Sequence, residues 1–288
     1  MENRNDSFFA IRHSKAEYQL NEEIIKSKNP EEAPDAKKQW FYSDLTPEGK
    51  KLAEQKAEEF FDKLDPEIDA LYFVSSDLVR AAETAKIYMD IAMQRGFEII
   101  MPRDGNKREN KAEEIGEGYI RKISCLTLDH LKNMLREQIF KPEDYLAEKV
   151  KYPEQVSAST KEKWVAARKI IEADNKGSWG ANYAAHSEAI AKIFPDVKSA
   201  EDVYKSKFLK MIKLIKFGQK KIKEKNPEKN IKVLAFSHEN SFLYFLNKNF
   251  GESMENCESI EFKIPEQSEV NMKKISATAK GKTIEVNE

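Results

Sequence analysis

The stretch SFFAIRHS, Ser7 to Ser14, is a short apolar run that ends abruptly at an Arg-His pair. This pattern is typical of a buried strand whose C-terminal end delivers polar side chains to a crevice. Arg12 and His13 are therefore the first candidates for chemistry. A second apolar run, Ile231 to Phe236 (IKVLAF), is followed by a serine and then by His238. Two predicted strands that each lead into a histidine indicate a site at one edge of a sheet.

The overall composition limits the classes of function. The chain has 288 residues, of which 40% are hydrophobic, enough to build a core. Its 49 basic and 50 acidic residues nearly cancel, so affinity for an anion has to be local, and we expect neither a nucleic-acid nor a membrane partner. Cys125 and Cys257 lack the number and spacing of a disulfide framework or zinc site, which favours a reducing compartment. With no signal-peptide pattern at the N-terminus, we expect a soluble cytoplasmic protein.

Two segments in the first third of the chain carry helix signals. A helix should begin at Thr46, because threonine suits the cap and Pro47 suits the first helical position. A predicted strand, Ala70 to Val74, is followed by the Ala-rich segment SSDLVRAAETA, Ser75 to Ala85. Arg80 then falls in the first turn of a helix, where the helix dipole disfavours positive charge. An anion held between Arg80 and the helix N-terminus removes this objection; the alternative is an ordinary exposed arginine.

The order of predicted elements indicates an α/β fold. Alternating strands and helices predict a three-layer sandwich with a mainly parallel central sheet and helices on both faces. Between 119 and 200, amphipathic segments separated by prolines predict a mostly helical insertion within a single domain, 1–288. His130 and His186 lie there without partners at ligand spacing, which favours structural or surface roles. The other predicted elements are a first helix ending near Leu64, strands at Phe97–Met101 and Ser259–Ile264, a strand pair within Lys273–Val286, and helices over Ala200–Lys225 and Ser241–Phe250.

Four segments together resemble the histidine phosphatase superfamily, also called the phosphoglycerate mutase-like family. They occur in the order and at the distances usual for that family, and with a closing strand at 256–262 (NCESIEF) the resemblance covers nearly the whole chain. The region 119–200 resembles the variable insertion with which family members cover the site and select substrates. The four segments are FAIRHSKAEYQ near the start, DLTPEGKKLAEQ at 44–55, SSDLVRAAETA at 75–85 and VLAFSHENS at 233–241.

The resemblance implies a role for each strand-end residue. His13 is expected to be the nucleophile, forming a phosphohistidine that water then hydrolyses. Arg12 and Arg80 are expected to hold the phosphoryl oxygens, and His238 to complete the pocket and stabilise the transition state. Gln19 stands where the family usually has a phosphate-contacting Asn, so it is a further candidate for phosphate binding. Neither a metal ion nor another cofactor is expected.

The general acid is less well defined. In the family a glutamate after the third strand commonly protonates the leaving alkoxide. Glu109, in the dipeptide Arg108-Glu109, resembles that motif best, while Glu113 and Glu114 remain alternatives because the following glycine is farther away than usual. Glu239 is another candidate, because one branch of the superfamily carries an acid directly after its second histidine.

These residues lead to one principal hypothesis and two alternatives. The principal hypothesis is a metal-independent phosphatase that hydrolyses phosphomonoesters, with a small phosphorylated metabolite or a phosphoprotein as substrate. A phosphoglycerate mutase-like phosphotransferase is the first alternative. The second is a catalytically silent phospholigand-binding protein, favoured by Ser14 and Glu239 at positions where the family often has glycine.

Overall fold

The computed structural model describes the chain in several stretches. The chain forms two compact units, the first made of 1–127, 213–238 and 255–288, and the second of 128–212 and 239–254. The described residues are 6–16, 44–76, 78–101, 120–122, 166–167, 169–170, 173, 185–193, 209–239, 242–251, 253–263 and 275–286. The described strands are β1 (Ser7–Arg12), β2 (Asp69–Ser75), β3 (Glu98–Ile99), β4 (Ile120–Lys122), β5 (Asn230–Ser237), β6 (Ser259–Lys263), β7 (Ile275–Ala279) and β8 (Lys282–Val286). The described helices are α1 (Pro47–Phe61), α2 (Val79–Gln94), α3 (Ser187–Ile193), α4 (Leu209–Lys223) and α5 (Leu243–Phe250).

The first unit is built on one mixed sheet. Its strand order is β3-β2-β5-β1-β6-β7-β8, and β4 pairs with the second half of β2. The strands β1 to β5 pair in parallel, whereas β6, β7 and β8 add on antiparallel. The predicted α/β class with a mainly parallel centre is therefore confirmed, and the antiparallel strands extend the sheet beyond β1.

The central strands β2, β5 and β1 are buried on both faces, as expected of parallel strands covered by other elements. One face packs against α1 and α2. The alternate residues of the strands, including Phe8, Ala10 and Val233, are also buried on the opposite face. The face that packs against α1 and α2 forms a core cluster with these helices. The cluster includes Phe9, Ile11, Leu71, Phe73, Leu234 and Phe236 from the strands and Ala57, Phe61, Ala81, Ala85, Tyr88 and Met89 from the helices.

The predicted start of α1 is confirmed. Thr46 is the cap residue, its hydroxyl accepts the N–H of Gly49 at 2.9 Å, and Pro47 occupies the first helical position. The helix ends at Phe61, before the predicted Leu64, because the amides at 63 and 64 donate to carbonyls three residues back and tighten the last turn.

The third predicted strand is shorter than expected. Only Glu98–Ile99 form β3, and they pair with Ala70 and Leu71 at the start of β2. From Phe73 onward this edge of β2 pairs with β4 instead. The part of β2 that is left for β3 is therefore short, and β3 ends with it. The predicted strand pair near the C-terminus is present as β7 and β8, with a turn between them.

The second unit is described only in part. It contains α3 and α5, and α5 is followed by Gly251, whose φ of 70° gives the left-handed conformation common after a helix. Most of 119–200 lies outside the described residues, so the helical insertion and the single domain 1–288 stay predictions. Within the part of the chain that the structure describes, every helix is too short or too polar to cross a membrane.

Candidate active site

The ends of β1 and β5 bring two histidines together. The two strands pair in parallel, with Arg12 opposite Ser237, so the residue after each of them lies at the same edge of the sheet. His13 donates its backbone N–H to the carbonyl of Ser237 at 2.9 Å. The rings of His13 and His238 lie with centroids 5.0 Å apart and their planes inclined at 61°. Both residues are buried, with 2% of their surface exposed.

Arg80 enters the same site from the first turn of α2. It follows Val79, the first residue of the helix, and among the described residues it is the largest fully buried side chain, with 0% exposure. Its Nε donates a hydrogen bond to Nε2 of His13 at 3.2 Å. The alternative of an ordinary exposed arginine is therefore wrong, because the guanidinium is buried and contacts His13.

The hydrogen bonds of His13 define which ring nitrogen carries the proton. Nδ1 lies 2.6 Å from the carbonyl oxygen of Ser14, and since a carbonyl only accepts, Nδ1 is the protonated nitrogen. Nε2 then holds the lone pair, as required of an acceptor for Arg80. Burial and the nearby charge of Arg80 hold the pKa of His13 well below its usual value, with a smaller effect from Arg12. The side chain is thus a neutral imidazole with a lone pair on Nε2.

His238 has one occupied and one available ring nitrogen. Nε2 lies 2.9 Å from the hydroxyl oxygen of Ser76, while Nδ1 is buried without a hydrogen-bond partner among the described residues. Burial, followed by the charge of Arg80, lowers the pKa of His238 well below its usual value, and His13 and Arg12 add to this effect. The site therefore contains two neutral imidazoles beside two guanidinium groups.

A set of backbone contacts holds Arg12 and His13 in position. The Arg12 carbonyl accepts the N–H of Cys257 at 3.1 Å, and the His13 carbonyl accepts from the side-chain amide of Asn256 at 3.0 Å. Cys257 adopts a φ of 62°, unusual for a residue other than glycine. Burial raises the pKa of its thiol to about 11. This cysteine is accordingly a packed thiol rather than a reactive one.

Ser14 connects the loop after His13 to both helices. Its backbone N–H donates to the hydroxyl of Thr84 at 3.1 Å, and its own hydroxyl donates to the carbonyl of Gly49 at 2.6 Å. Thr84 in turn donates to the carbonyl of Arg80 at 2.8 Å. Sequence reasoning treated Ser14 only as a departure from a family glycine, and it missed Thr84 and Ser76. The serine pair before α2 and the threonine one turn after Arg80 were the available signals.

The predicted site residues differ in how the structure places them. Arg12, His13, Arg80 and His238 are brought together at one edge of the sheet. Gln19, Glu109, Glu113 and Glu114 lie outside the described residues, and Glu239 belongs to the second unit. Within the described ranges, no three His, Cys, Asp or Glu side chains cluster as the ligands of a metal ion would.

This arrangement suits a compact, doubly charged anion. Guanidinium groups match the oxygens of a phosphoryl group, and neutral imidazoles add polar contacts without repelling a cationic neighbour. The N-terminus of α2 contributes partial positive charge to the same place, and its cap residue, Leu78, makes no side-chain capping bond. The fold and the site thus define an α/β protein with a buried cluster of Arg and His side chains at the ends of parallel strands.

Comparisons with known proteins found likeness at the level of solved structures. Neither a protein-family model nor a curated protein matches the chain. A phosphoglycerate mutase from Bacillus anthracis str. Sterne is 12% identical with a TM-score of 0.44, covering 99% of this chain and 94% of that one. The multiple inositol polyphosphate phosphatase of Bifidobacterium longum, in complex with inositol hexasulfate, is 10% identical with a TM-score of 0.45, covering 98% and 87%. YhfR of Bacillus stearothermophilus is 11% identical with a TM-score of 0.40, covering 96% of each chain.

These similar structures are members of the histidine phosphatase superfamily, the family that the sequence resembles.

Proposed function

We propose that this chain is a metal-independent phosphatase that hydrolyses phosphomonoesters through a phosphohistidine on His13. The observation that carries the proposal is the hydrogen bonding of that ring. Nδ1–H is held by the carbonyl of Ser14, so the lone pair on Nε2 is fixed beside the guanidinium of Arg80. A neutral imidazole held in one tautomer next to an oxyanion-binding group is what a nucleophile for phosphorus requires.

In the first step Nε2 of His13 forms a bond to phosphorus while the bond from phosphorus to the ester oxygen breaks. The Nε–H of Arg80 moves its hydrogen bond from Nε2 of His13 to a phosphoryl oxygen, and Arg12 contributes a second positive charge. The leaving alkoxide takes a proton from a carboxylic acid, for which Glu109 is our first candidate, with Glu113, Glu114 and Glu239 as alternatives.

In the second step water replaces the histidine. The carboxylate formed in the first step removes a proton from water while the oxygen of that water attacks phosphorus. The electron pair of the N–P bond returns to Nε2 of His13. Inorganic phosphate leaves and the carboxylic acid is restored, so protons and charges balance over the cycle. Gln19 and His238 are proposed to contact the phosphoryl group in both steps.

The proposed substrate is a small phosphorylated metabolite or a phosphoprotein, and the proposed location is the cytoplasm. Transfer of the phosphoryl group to a second substrate alcohol, as in a mutase, needs only that this alcohol replace water in the second step. The remaining alternative, a catalytically silent phospholigand-binding protein, keeps phosphate binding by Arg12 and Arg80 but lacks turnover.

The test is phosphate release from a panel of phosphomonoesters in excess chelator. Wild-type protein is compared with His13→Ala and, as a matched control, with His186→Ala, whose histidine lies in the second unit. We expect release to survive chelation, to fall to background in His13→Ala, and to persist in the control. When the reaction is quenched without acid and the protein is digested, mass spectrometry should locate one added phosphoryl group on the peptide that contains His13.

Two outcomes contradict the proposal. Loss of release on chelation, with recovery on adding metal, would remove the metal-independent route. Equal inactivity of wild type and His13→Ala, with inorganic phosphate still raising the unfolding temperature of wild type, would favour the phospholigand-binding protein.

The general acid is identified by a separate comparison. Glu109→Gln and Glu239→Gln are compared on esters with poor leaving groups, where the loss of a general acid lowers the rate most.

A further inference from the structure

The hydroxyl of Ser76 connects His238 to the start of α2. Ser76 directly follows β2, its backbone N–H donates to the carbonyl of Phe236 at 3.0 Å, and it is fully buried. Its hydroxyl oxygen accepts the N–H of Leu78 at 3.3 Å and lies 2.9 Å from Nε2 of His238. A serine hydroxyl has a single hydrogen, so the direction of the bond between Ser76 and His238 decides which ring nitrogen is protonated.

Two arrangements of hydrogen are possible, and they leave different numbers of polar groups unsatisfied. If Nε2 of His238 donates to Ser76, the serine hydrogen has no described acceptor, and the lone pair on Nδ1 has no described donor. If Ser76 donates to Nε2, both the hydroxyl hydrogen and Nε2 are satisfied, and only an Nδ1–H is left over. Because unsatisfied buried polar groups are costly, the second arrangement is favoured.

We infer that Ser76 is a positioning residue that holds His238 in the Nδ1-protonated tautomer, so that the neutral ring donates a hydrogen bond from Nδ1 to a phosphoryl oxygen. This inference rests on the proposed function, because it takes a phosphoryl group as the missing acceptor. In the opposite tautomer the ring would present a lone pair to an anion, and the contact would be repulsive.

The charge state of His238 makes the tautomer important. Burial and Arg80 disfavour the imidazolium form, so near neutral pH the ring cannot supply donors from both nitrogens. A neutral histidine is a donor at one nitrogen only, and the partner of the other nitrogen selects which one. Ser76 is that partner, and through Leu78 it is itself fixed to the first turn of the helix that carries Arg80.

The first experiment needs no variant. Histidine-labelled full-length protein is examined by ¹⁵N NMR at neutral pH, with and without inorganic phosphate. We expect the Nδ1 resonance of His238 to be of the protonated type and Nε2 of the unprotonated type in both states, with Nδ1 shifting when phosphate binds. Protonated Nε2 with an unprotonated Nδ1 would overturn the inference, as would an imidazolium at neutral pH.

The second experiment separates positioning from general stability. Ser76→Ala should mix the two tautomers of His238 and weaken inorganic phosphate binding by about tenfold, the size expected for one hydrogen bond to an anion. Ser76→Thr, which retains the hydroxyl, should restore the tautomer and most of the affinity. Ser75→Ala is the matched control, because its hydroxyl is equally buried but donates to the carbonyl of Ser76, at 2.7 Å, rather than to a histidine.

If Ser76→Ala fails to fold, the NMR result on wild type still decides the question. Equal phosphate affinity in Ser76→Ala and wild type, with both folded, would contradict the inference.

The NMR tautomer and the phosphate affinity are both measured without turnover. Absence of phosphatase activity together with the expected tautomer and phosphate affinity would reject the proposed function alone, whereas activity with the opposite tautomer would reject only the role of Ser76.

Discussion

Nε of Arg80 donates to Nε2 of His13 across 3.2 Å, so the buried cation of the site and the lone pair of the buried imidazole are in direct contact. This contact has two physical consequences. The positive charge disfavours protonation of the ring, and the guanidinium is already located where a group bonded to Nε2 would need stabilisation. Charge and hydrogen-bond geometry can be separated by substitution.

Arg80→Lys keeps the positive charge but loses the planar fork, whereas Arg80→Gln loses both. We expect both variants to lower kcat by about 100-fold or more, as removal of a transition-state donor commonly does. Only Arg80→Gln should move the acidic limb of the profile of kcat/KM against pH to higher pH. The reason is that this variant removes one of the causes that lower the pKa of His13. Arg95→Gln, which removes a surface arginine paired with Glu58 and Asp62, should leave the profile unchanged.

A different result would separate the two effects. If the acidic limb has the same midpoint in both Arg80 variants, burial and the smaller effect of Arg12 set the protonation of His13, and the charge of Arg80 has no part in it.

The two buried histidines should make stability depend on pH. Their pKa values in the folded protein lie well below the usual value near 6.5, which applies in the unfolded chain. As pH falls below about 6.5 the unfolded chain takes up protons that the folded protein does not, so the free energy of unfolding decreases, by up to about 1.4 kcal/mol per pH unit for each histidine. The loss ends where pH passes the folded-state pKa values. Urea unfolding between pH 7.5 and 5.5 measures this slope.

The double variant His13→Gln, His238→Gln should flatten the slope over the same range, since glutamine does not titrate. An equal slope in wild type and double variant would show that other groups cause the dependence.

The strand ends were the part of the site that sequence could predict. Arg12, His13 and His238 follow apolar runs, and parallel strands place their ends at one edge of a sheet. Arg80 was recognisable because a cation is unfavourable in the first turn of a helix. These four residues follow from local patterns that a single sequence displays.

The supporting contacts could not be predicted in the same way. Asn256 binds the carbonyl of His13, and Thr84 binds the amide of Ser14, across long distances in sequence. No local pattern marks Asn256 for this contact, and the position of Thr84 one turn after Arg80 does not specify Ser14 as its partner, because each contact depends on how the loops and helices pack. The length of β3 also depended on packing, since β4 takes over its edge of β2.

Thr84→Val should destabilise the protein by about 1 to 3 kcal/mol, because it leaves the buried N–H of Ser14 without its acceptor at 3.1 Å. The side chain keeps its shape, so packing changes little. The matched control is Thr278→Val, where the hydroxyl pairs with that of Thr283 on the exposed face of the β7–β8 hairpin, and we expect a change within about 0.5 kcal/mol. Urea unfolding of both variants checks the difference. Similar values for the two variants would mean that the Ser14 amide finds another partner.

Gly49→Ala tests whether α1 and the loop after His13 need their close approach. A Cβ at position 49 would lie 2.0 Å from the carbonyl oxygen of Lys15, a backbone atom that also accepts the N–H of Thr46 at 3.1 Å. The carbonyl of Gly49 itself accepts the Ser14 hydroxyl. The backbone at 14 and 15 must therefore shift, and we expect a loss of about 1 to 3 kcal/mol in the free energy of unfolding, as overpacking usually costs.

Activity should fall as well in Gly49→Ala, because the displaced loop carries the Ser14 carbonyl that fixes the tautomer of His13. Gly218→Ala is the matched control: that glycine lies within α4, nothing is within 4 Å of its Cβ position, and alanine should stabilise the helix by about 0.5 to 1 kcal/mol. Unfolding by urea and phosphate release are measured on both variants. If Gly49→Ala loses stability but keeps wild-type kcat, the loop moves without disturbing His13, and the contact between Ser14 and α1 serves the fold alone.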